Sequence, residues 1–437
     1  MRLPEMNEKR FSATVLIVLL CVTLTAAVYV RCSQRTITLT IGVYAGSYWE
    51  TPNGNTYQIL DNAIRRFEER YPLVHVEYVS GIPTDFYSEW LAEQILKGRE
   101  PDLYFVLPED FNLLVSSGAL AKLDEWMEDD PEFDASMFYA PCLQSGVFEN
   151  SQYALPHESV PTMMFVNKTF LEENGIPMPD DDWNWDDFYR ICEQVTNVEK
   201  GQFGVYGYTW LNALYANGAS LFSEDGSVCY LSDGKIQESI QFVKKLNELN
   251  GGYTVTSRDF DLGNVAFRPF LFSEYRAYQP YPWRVKKYSS FQWDCVCMPA
   301  GPNGDNVSEL HTMLLGISAG TRSPSLAWEF AKLLSLDQDV QRELYTYSRG
   351  ISPLRCVAED RETLSVLRAE IPGSSSFEGE VIRKVMSTAV TAPRFDGYDQ
   401  ALIMAESAVA DEMKRDMNRG NGIAAAQREI NLFLSNF

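Results

Sequence analysis

Two short segments combine aromatic and carboxylate side chains, which are residue types that bind ligands through ring packing and hydrogen bonds. Residues 46–49 read Gly-Ser-Tyr-Trp, and residues 108–110 read Pro-Glu-Asp. Aromatic rings pack against the apolar face of a ligand, and planar carboxylates accept hydrogen bonds from its donor groups. Ordinary surface-loop composition accounts for any single one of these residues almost equally well. Glu109 and Asp110 also fit a solvated helix N-terminus, where the helix dipole favours negative charge.

The elements around these segments predict where they lie. Strands are predicted at 36–44, 74–79 and 102–107, where β-branched and apolar residues cluster. Helices are predicted at 58–71, whose apolar residues recur at helical spacing, and at 85–98. This β-α-β-α-β order favours a parallel sheet with right-handed crossovers. Both polar segments follow strands, at the carboxyl edge where the ligands of such sheets bind.

The later part of the chain repeats the α/β pattern and then becomes helical. Further strands are predicted at 153–156, 162–167, 293–298 and 313–318, and helices at 168–174, 186–196, 239–250 and 323–336. The chain after Phe377 is predicted to be mainly helical. A length of 437 residues exceeds the usual size of one domain. We therefore predict an α/β fold with two lobes and a helical C-terminal part.

Charge and cysteine usage exclude several classes of function. Asp and Glu number 60 against 37 Lys and Arg, which gives a formal net charge of −23. Such a surface repels phosphate backbones, so we expect no nucleic-acid partner. The eight cysteines are scattered and only three histidines are present. We therefore predict buried free thiols, with a single disulfide left open, and neither a metal site nor a cofactor.

The N-terminus carries a targeting signal. Three basic residues among the first ten precede an uninterrupted apolar run at 13–30, which is just long enough to span a bilayer. The basic flank places the short tail in the cytoplasm and the rest of the chain outside. Cys32 stands where a bacterial lipoprotein is lipidated, but Tyr-Val-Arg at 29–31 suits that processing poorly. We predict that residues 1–35 form a cytoplasmic tail plus an uncleaved membrane anchor, with a cleaved signal peptide or a lipid anchor left open.

An ordered series of short motifs runs through most of the remaining chain. It comprises FEERYPLVHVE at 67–77, PDL at 101–103, SGALAKLD at 117–124, YALP at 153–156, FVNK at 165–168, NGIP at 174–177, NWDDF at 184–188, AWEFAKLL at 327–334 and GISP at 350–353. In this order, the motifs resemble those of the family 1 extracellular solute-binding proteins of bacterial ABC importers, which include maltose-binding-type proteins. One departure is FSEYRAY at 272–278, where the family usually has Phe-x-x-Gly-x-x-Ala-Met.

The resemblance implies a two-lobed, type II periplasmic-binding-protein-like fold that captures a solute between its lobes. It implies a protein without enzymatic activity that delivers the solute, here a mono- or oligosaccharide, to the permease subunits of an ABC transporter. The N-terminal lobe is expected at 36–158 and 296–316, and the C-terminal lobe at 159–295 and 317–437. The chain is expected to cross between them near 157–162, 293–298 and 316–320.

The family's site, carried over residue by residue, gives ten candidate ligand-binding residues. Those in the first lobe are Tyr48, Trp49, Glu109, Asp110 and Glu158. Those in the second lobe are Trp210, Asn217, Tyr281, Trp283 and Arg284. Core packing is the alternative for both tryptophans of the second lobe.

Two other classes of function remain open at this stage. A secreted carbohydrate-active enzyme would use a carboxylate pair drawn from Glu109, Asp110 and Glu158. A membrane-anchored sensory domain would bind a ligand and report to a partner instead of feeding a transporter. Turnover of the ligand would favour the first, and an absence of permease genes nearby would favour the second.

Overall fold

The computed structural model describes residues 36–49, 55, 57–277, 292–370, 379–414 and 422–436. Its strands are β1 Ile37–Gly42, β2 Val74–Tyr78, β3 Leu103–Val106, β4 Val147–Phe148, β5 Ser151–Gln152, β6 Ala154–Asn167, β7 Phe203–Val205, β8 Val265–Leu271, β9 Trp293–Val296 and β10 Leu310–Ile317.

The helices of the first half are α1 Gln58–Arg70, α2 Thr84–Leu96, α3 Phe111–Ser116, α4 Asp124–Asp129, α5 Ala140–Gln144, α6 Lys168–Glu173, α7 Trp185–Val195, α8 Trp210–Ala216 and α9 Gly234–Glu248. Those of the second half are α10 Ser257–Asp261, α11 Phe272–Ala277, α12 Pro324–Leu336, α13 Gln338–Tyr347, α14 Arg355–Ala358, α15 Arg361–Glu370, α16 Gly379–Thr388, α17 Tyr398–Lys414 and α18 Gly422–Leu434.

The first lobe is built on a sheet with the order β2-β1-β3-β10-β6. Strand β1 pairs in parallel with β2 and with β3, and β10 runs antiparallel to both β3 and β6. The parallel β-α-β-α-β unit predicted from the sequence is confirmed. Helix α1 forms because Leu60, Ala63 and Phe67 repeat at helical spacing, and these three side chains are buried against the sheet.

Strand β6 joins the two lobes. The sequence predicted two separate strands here, which is wrong: 14 consecutive residues form one strand that is buried throughout. Its first half, to Pro161, pairs with β10, and its second half, from Thr162, pairs with β8 and β9. Pro156 lacks the N–H of a central strand, and the register shifts beside it, between Met313 and Leu314 of β10. Such an irregularity accommodates a proline without ending the strand.

The second lobe is built on β7, β8, the second half of β6, and β9. One apolar cluster packs α7 and α9 against this sheet, and a second joins α8 and α9 to α17 and α18. The α/β fold of two lobes with a largely helical C-terminal part is therefore observed.

Two stretches of the chain pack on the lobe opposite to the one predicted for them. Helices α12 and α13 pack on the first sheet, where the rings of Phe67 and Phe330 are 4.9 Å apart, although 317–437 was assigned to the C-terminal lobe. Residues 301–306 bind the second lobe, since Gly301 N donates to Ala216 O at 2.9 Å, although 296–316 was assigned to the N-terminal lobe. Hydrophobic patterning shows that a helix has an apolar face but not which sheet that face covers.

The third crossing also lies elsewhere than predicted. Leu310 N donates to Val390 O at 2.8 Å, which holds Val390 beside β10 of the first sheet. Five residues later, the Phe395 ring is 5.3 Å from Phe222 in the second lobe. The chain therefore returns to the second lobe between these positions, and not at 316–320.

Six cysteines fall within the described ranges, and all six are unpaired thiols. Five are buried and Cys356 is exposed, which agrees with the prediction of free thiols except for this one position. In the same ranges, no helix has the length and apolar character needed to cross a bilayer. The apolar run at 13–30 lies outside the described residues.

Candidate functional site

A pocket opens in the first lobe beside the carboxyl end of β1. It is enclosed by the loop after β1, the first turn of α1, the first half of β6 and the C-terminal ends of α12 and α13. The lining residues are Val43, Tyr44, Gly46, Ser47, Tyr48, Trp49, Asn55, Tyr57, Ile59, Leu60, Phe105, His157, Glu158, Leu334, Tyr347 and Ser348. Three of the predicted residues, Tyr48, Trp49 and Glu158, are therefore brought together in one pocket.

The loops after β1 and β3 meet through a hydrogen bond. The Tyr48 hydroxyl donates to Glu109 Oε2 at 2.9 Å, and the Tyr48 ring stands edge-on to Trp49 with centroids 5.1 Å apart. Burial raises the pKa of Tyr48 well above its ordinary value, and the negative charge of Glu109 raises it further. Tyr48 therefore stays protonated, and because its proton is donated to Glu109, its hydroxyl oxygen remains available as an acceptor. Glu109 is exposed at the rim of this arrangement.

Trp49 is buried, with 2% of its surface exposed. Its indole Nε1 is enclosed and has no hydrogen-bond partner among the described residues. An unsatisfied buried donor costs about 1–3 kcal/mol, so this N–H is a polar group that a bound molecule or water would stabilise.

Asp110 lies behind the pocket and not in its lining. Its Oδ2 accepts a hydrogen bond from the Ser88 hydroxyl at 2.6 Å. Partial burial raises the pKa of this carboxyl; the Ser88 hydrogen bond opposes that shift, while the charge of Glu109 adds to it. Asp110 immediately precedes α3 without capping it through its side chain. It ties the loop after β3 to α2.

Glu158 is a buried carboxylate in the wall of the pocket, with 6% of its surface exposed. Its Oε1 accepts a hydrogen bond from the Ser348 hydroxyl at 2.5 Å and from the Gly350 amide at 2.6 Å. Its second carboxylate oxygen has no hydrogen-bond partner within the part of the chain that the structure describes. Glu158 thus offers the pocket one oxygen while the other is held by the chain after α13.

Two further pocket residues, Tyr44 and His157, were not among the predicted binding residues. The His157 Nδ1 is 3.0 Å from Leu334 O, to which it donates, and burial lowers the pKa of its imidazole against the opposing charge of Glu158. Its ring is therefore neutral near pH 7. Burial raises the pKa of Tyr44 well above its ordinary value, and the charge of Glu158 adds to this. Tyr44 is the last residue of the strand predicted at 36–44, and this position at the carboxyl end of a strand could have indicated a residue of the site.

Arg394 reaches the rim from the segment that returns to the second lobe. Its Nη1 donates to Pro108 O at 2.9 Å, and its guanidinium carbon lies 5.2 Å from the Phe111 ring centroid. Burial lowers the pKa of this guanidinium, against the charges of Tyr398, Asp399, Tyr48 and Glu109. Arg394 therefore joins the loop that carries Glu109 to the other lobe.

Two predicted residues of the second lobe, Trp210 and Asn217, are buried and contact other residues of that lobe. Trp210 is 8% exposed and packs in an apolar cluster at the start of α8, as the core-packing alternative proposed. Asn217 is fully buried, and its Nδ2 donates to Lys235 O and Glu238 Oε2, each at 3.0 Å. Its Oδ1 accepts from Asn303 N at 3.0 Å. Neither residue lines the pocket, which is formed by residues of the first lobe.

Three predicted residues, Tyr281, Trp283 and Arg284, lie outside the described residues. Their role as ligand contacts stays a prediction.

The fold is shared with several solved structures of low sequence identity. An ABC substrate-binding protein from Listeria monocytogenes, in complex with cycloalternan, is 17% identical at a TM-score of 0.69, over 92% of this chain and 99% of that one. The cyclic alpha-maltosyl-1,6-maltose binding protein from Arthrobacter globiformis is 16% identical at a TM-score of 0.75, over 92% and 100%. The sugar-binding protein MalE from Xanthomonas citri is 12% identical at a TM-score of 0.74, over 91% and 98%.

About two-thirds of the sequence matches a known protein family. Residues 51–341 match the bacterial extracellular solute-binding proteins, a family of binding proteins and not of enzymes. This match includes every strand of the two lobes except β1, and half of the residues that line the pocket. Together with the two-lobed fold, it means that the chain belongs to the family of bacterial extracellular solute-binding proteins.

Proposed function

We propose that this protein is the carbohydrate-binding component of a bacterial ABC importer, which captures an oligosaccharide between its lobes and delivers it to the permease. The observation that carries the proposal is the pocket of the first lobe, where aromatic rings surround a buried carboxylate with one oxygen unengaged by the described chain. Tyr44, Tyr48 and Tyr347 supply rings together with hydroxyl groups. Aromatic rings pack against the C–H face of a sugar, and the hydroxyl and carboxylate groups form hydrogen bonds with its hydroxyl groups.

The charge of the pocket supports a neutral or amine-bearing saccharide over an anionic one. Glu158 is the one acidic side chain among the described lining residues, and burial lowers the pKa of the neighbouring His157 imidazole, which keeps that ring neutral. A buried carboxylate repels a phosphate or uronate at short range, and a low local dielectric strengthens that repulsion. Sugar phosphates and uronic acids are therefore expected to bind weakly or not at all.

The ligands named for the solved relatives suggest which saccharides to test first. Two of them, cycloalternan and cyclic alpha-maltosyl-1,6-maltose, are named with structures that cover more than nine-tenths of this chain.

We extend the proposal to membrane attachment on the outer side of the cell membrane through residues 1–35, whose apolar run at 13–30 supports an anchor.

The test is a thermal-stability screen of the full-length protein, purified in mild detergent, against maltotriose, cyclic alpha-maltosyl-1,6-maltose, cellotriose, chitosan trimer, glucuronic acid and glucose 6-phosphate. Ligand that binds only the folded state raises Tm in a saturable way. We expect such a rise with a neutral or amine-bearing saccharide, without turnover on long incubation. Consumption of the saccharide would instead establish an enzyme, and no rise with any saccharide would refute carbohydrate binding.

A matched pair of variants locates the site. Glu158→Gln removes a charged acceptor from the pocket, which weakens saccharide affinity by about tenfold or more. Glu172→Gln makes the same chemical change at an exposed position of α6 and is expected to leave affinity unchanged. Equal affinities for the two variants, measured by calorimetry, would mean that the saccharide binds elsewhere.

A further inference from the structure

The side chain of Arg276, in α11 of the second lobe, is completely buried between the two lobes, with 0% exposure. Its Nη2 donates to Tyr345 O at 2.8 Å, and its Nη1 donates to Gly350 O at 3.0 Å. Tyr345 lies in the last turn of α13, where carbonyl groups lack intrahelical partners and the helix dipole favours a cation. An arginine of one lobe is thus bound to the C-terminal end of a helix of the other.

The same stretch of chain holds the pocket carboxylate from its opposite side. Gly350 accepts from Arg276 through its carbonyl and donates through its own amide to Glu158 Oε1 at 2.6 Å. Ser348, two residues earlier, donates to the same oxygen and lines the pocket with Tyr347. One short segment, residues 347–350, therefore connects a second-lobe guanidinium with a first-lobe pocket group.

The backbone of Gly350 is packed directly against the side chain of Glu158. A Cβ built on Gly350 would lie 2.3 Å from Glu158 Oε1 and 2.4 Å from Glu158 Cγ. Backbone and carboxylate are in direct contact here, so any displacement of Gly350 moves or releases Glu158. The segment is also fixed downstream, where Ile351 N donates to Ser159 O at 2.8 Å.

We propose that Arg276 is a positioning residue for Glu158: by holding the Gly350 carbonyl, it keeps the Gly350 amide on Oε1 and leaves the other carboxylate oxygen facing the pocket. The arrangement makes the pose of the pocket carboxylate depend on where the second lobe lies. A shift of α11 that withdraws the guanidinium releases Gly350 and, with it, Glu158. The consequence for affinity rests on the proposed function, whereas the consequence for the Gly350 amide does not.

The first experiment needs no ligand. In the full-length protein, hydrogen exchange of the Gly350 amide is measured by mass spectrometry with residue-level fragmentation for wild type, Arg276→Met and Arg276→Lys. Loss of the carbonyl anchor is expected to speed exchange at Gly350 at least tenfold in Arg276→Met, and lysine, which keeps a cationic donor, is expected to restore part of the protection. Arg268→Met is the control, since Arg268 stacks on Phe270 within the second lobe, 3.7 Å from its ring.

Exchange at Gly350 that stays within twofold of wild type in Arg276→Met would overturn the proposal. So would a Gly350 rate in Arg268→Met equal to that in Arg276→Met, because the effect would then be a general loosening of the lobe. If Arg276→Met fails to fold, Arg276→Lys decides the test. The Gly350 amide must then exchange faster in Arg276→Lys than in wild type, and it must not exchange faster in Arg268→Met than in wild type.

The second experiment measures affinity for maltotriose in a double-mutant cycle of Arg276→Lys and Glu158→Gln. A residue that acts through Glu158 loses its influence once Glu158 is altered. We expect Arg276→Lys to weaken affinity severalfold in the wild-type background and by less than twofold in the Glu158→Gln background. Equal factors in both backgrounds would show that Arg276 does not act through Glu158. If wild type binds no maltotriose, the choice of saccharide fails, and the exchange experiment alone decides this proposal.

Discussion

Replacing Gly350 by alanine perturbs the contact on which the pocket geometry depends. The new methyl group would lie 2.3 Å from Glu158 Oε1 and 2.7 Å from Glu158 Cδ, distances that a Cβ atom does not tolerate. Because both groups are buried, the carboxylate must leave its position, and the hydrogen bond from the Gly350 amide is lost with it. Overpacking of a buried site costs about 1–3 kcal/mol, and a hydrogen bond to a charged group contributes about 1.5–3 kcal/mol. Together, the two effects are expected to lower the free energy of unfolding of Gly350→Ala by about 2.5–6 kcal/mol.

Urea unfolding followed by circular dichroism measures this loss, and two companion variants test its cause. Gly234→Ala is the control, because a Cβ at the start of α9 meets no heavy atom within 4 Å; we expect it to change stability by no more than about 0.5 kcal/mol. In a Glu158→Ala background, which removes the clashing atoms, Gly350→Ala is expected to cost less than about 1 kcal/mol. A cost for Gly350→Ala that is the same in both backgrounds would refute the reasoning.

Three further outcomes are expected. Asn217→Ala leaves the Asn303 amide and the Glu238 carboxylate without their shared partner, so it lowers the free energy of unfolding by about 1–3 kcal/mol while saccharide affinity, measured by calorimetry, stays unchanged. Because burial lowers the pKa of His157 in the folded state, stability is lost as pH falls below the ordinary histidine range; this decline in urea unfolding between about pH 6.5 and 5 is expected to shrink in His157→Gln, and an unchanged decline would contradict the assignment. Iodoacetamide at pH 8 is expected to modify Cys356 in the native protein while Cys142 stays unmodified, because Cys142 is buried and its pKa is raised to about 12; peptide mass spectrometry checks this, and equal labelling would mean that the core opens.

Local patterns predicted the first lobe well because its elements are set by short-range chemistry. Helix α1 is predicted at 58–71 and observed at Gln58–Arg70, since its apolar residues cover one face and Pro72 follows its end. The capping box of Asn184 with Asp187 starts α7 where the motif NWDDF places it. In these cases the residues that decide the structure lie within one or two turns of each other.

The same approach failed where the deciding contacts are distant. Trp210 has polar and turn-forming neighbours in sequence, yet α8 turns it into a cluster completed by α17 and α18, about two hundred residues later. Asn217 is engaged by Asn303, and no local signal connects these two positions. Polar flanks therefore did not indicate an exposed site, because burial depends on which distant element covers the side chain.

The sequence by itself determined the α/β class through the order of its strands and helices, and its motifs predicted a two-lobed solute-binding protein through their resemblance to a known family. It also placed Tyr48 and Trp49 in the candidate site, since loops after parallel strands meet at one edge of a sheet, and it placed Glu158 there through the resemblance to the family. Only the tertiary structure brought in Ser348, which is separated from Glu158 by 190 residues and bonded to it at 2.5 Å. It alone also placed the Arg276 guanidinium on the other side of Gly350. The physical reason is that periodicity and turn chemistry act over a few residues, whereas a pocket wall is set by how whole helices pack, and that packing depends on the shape and volume of the entire core.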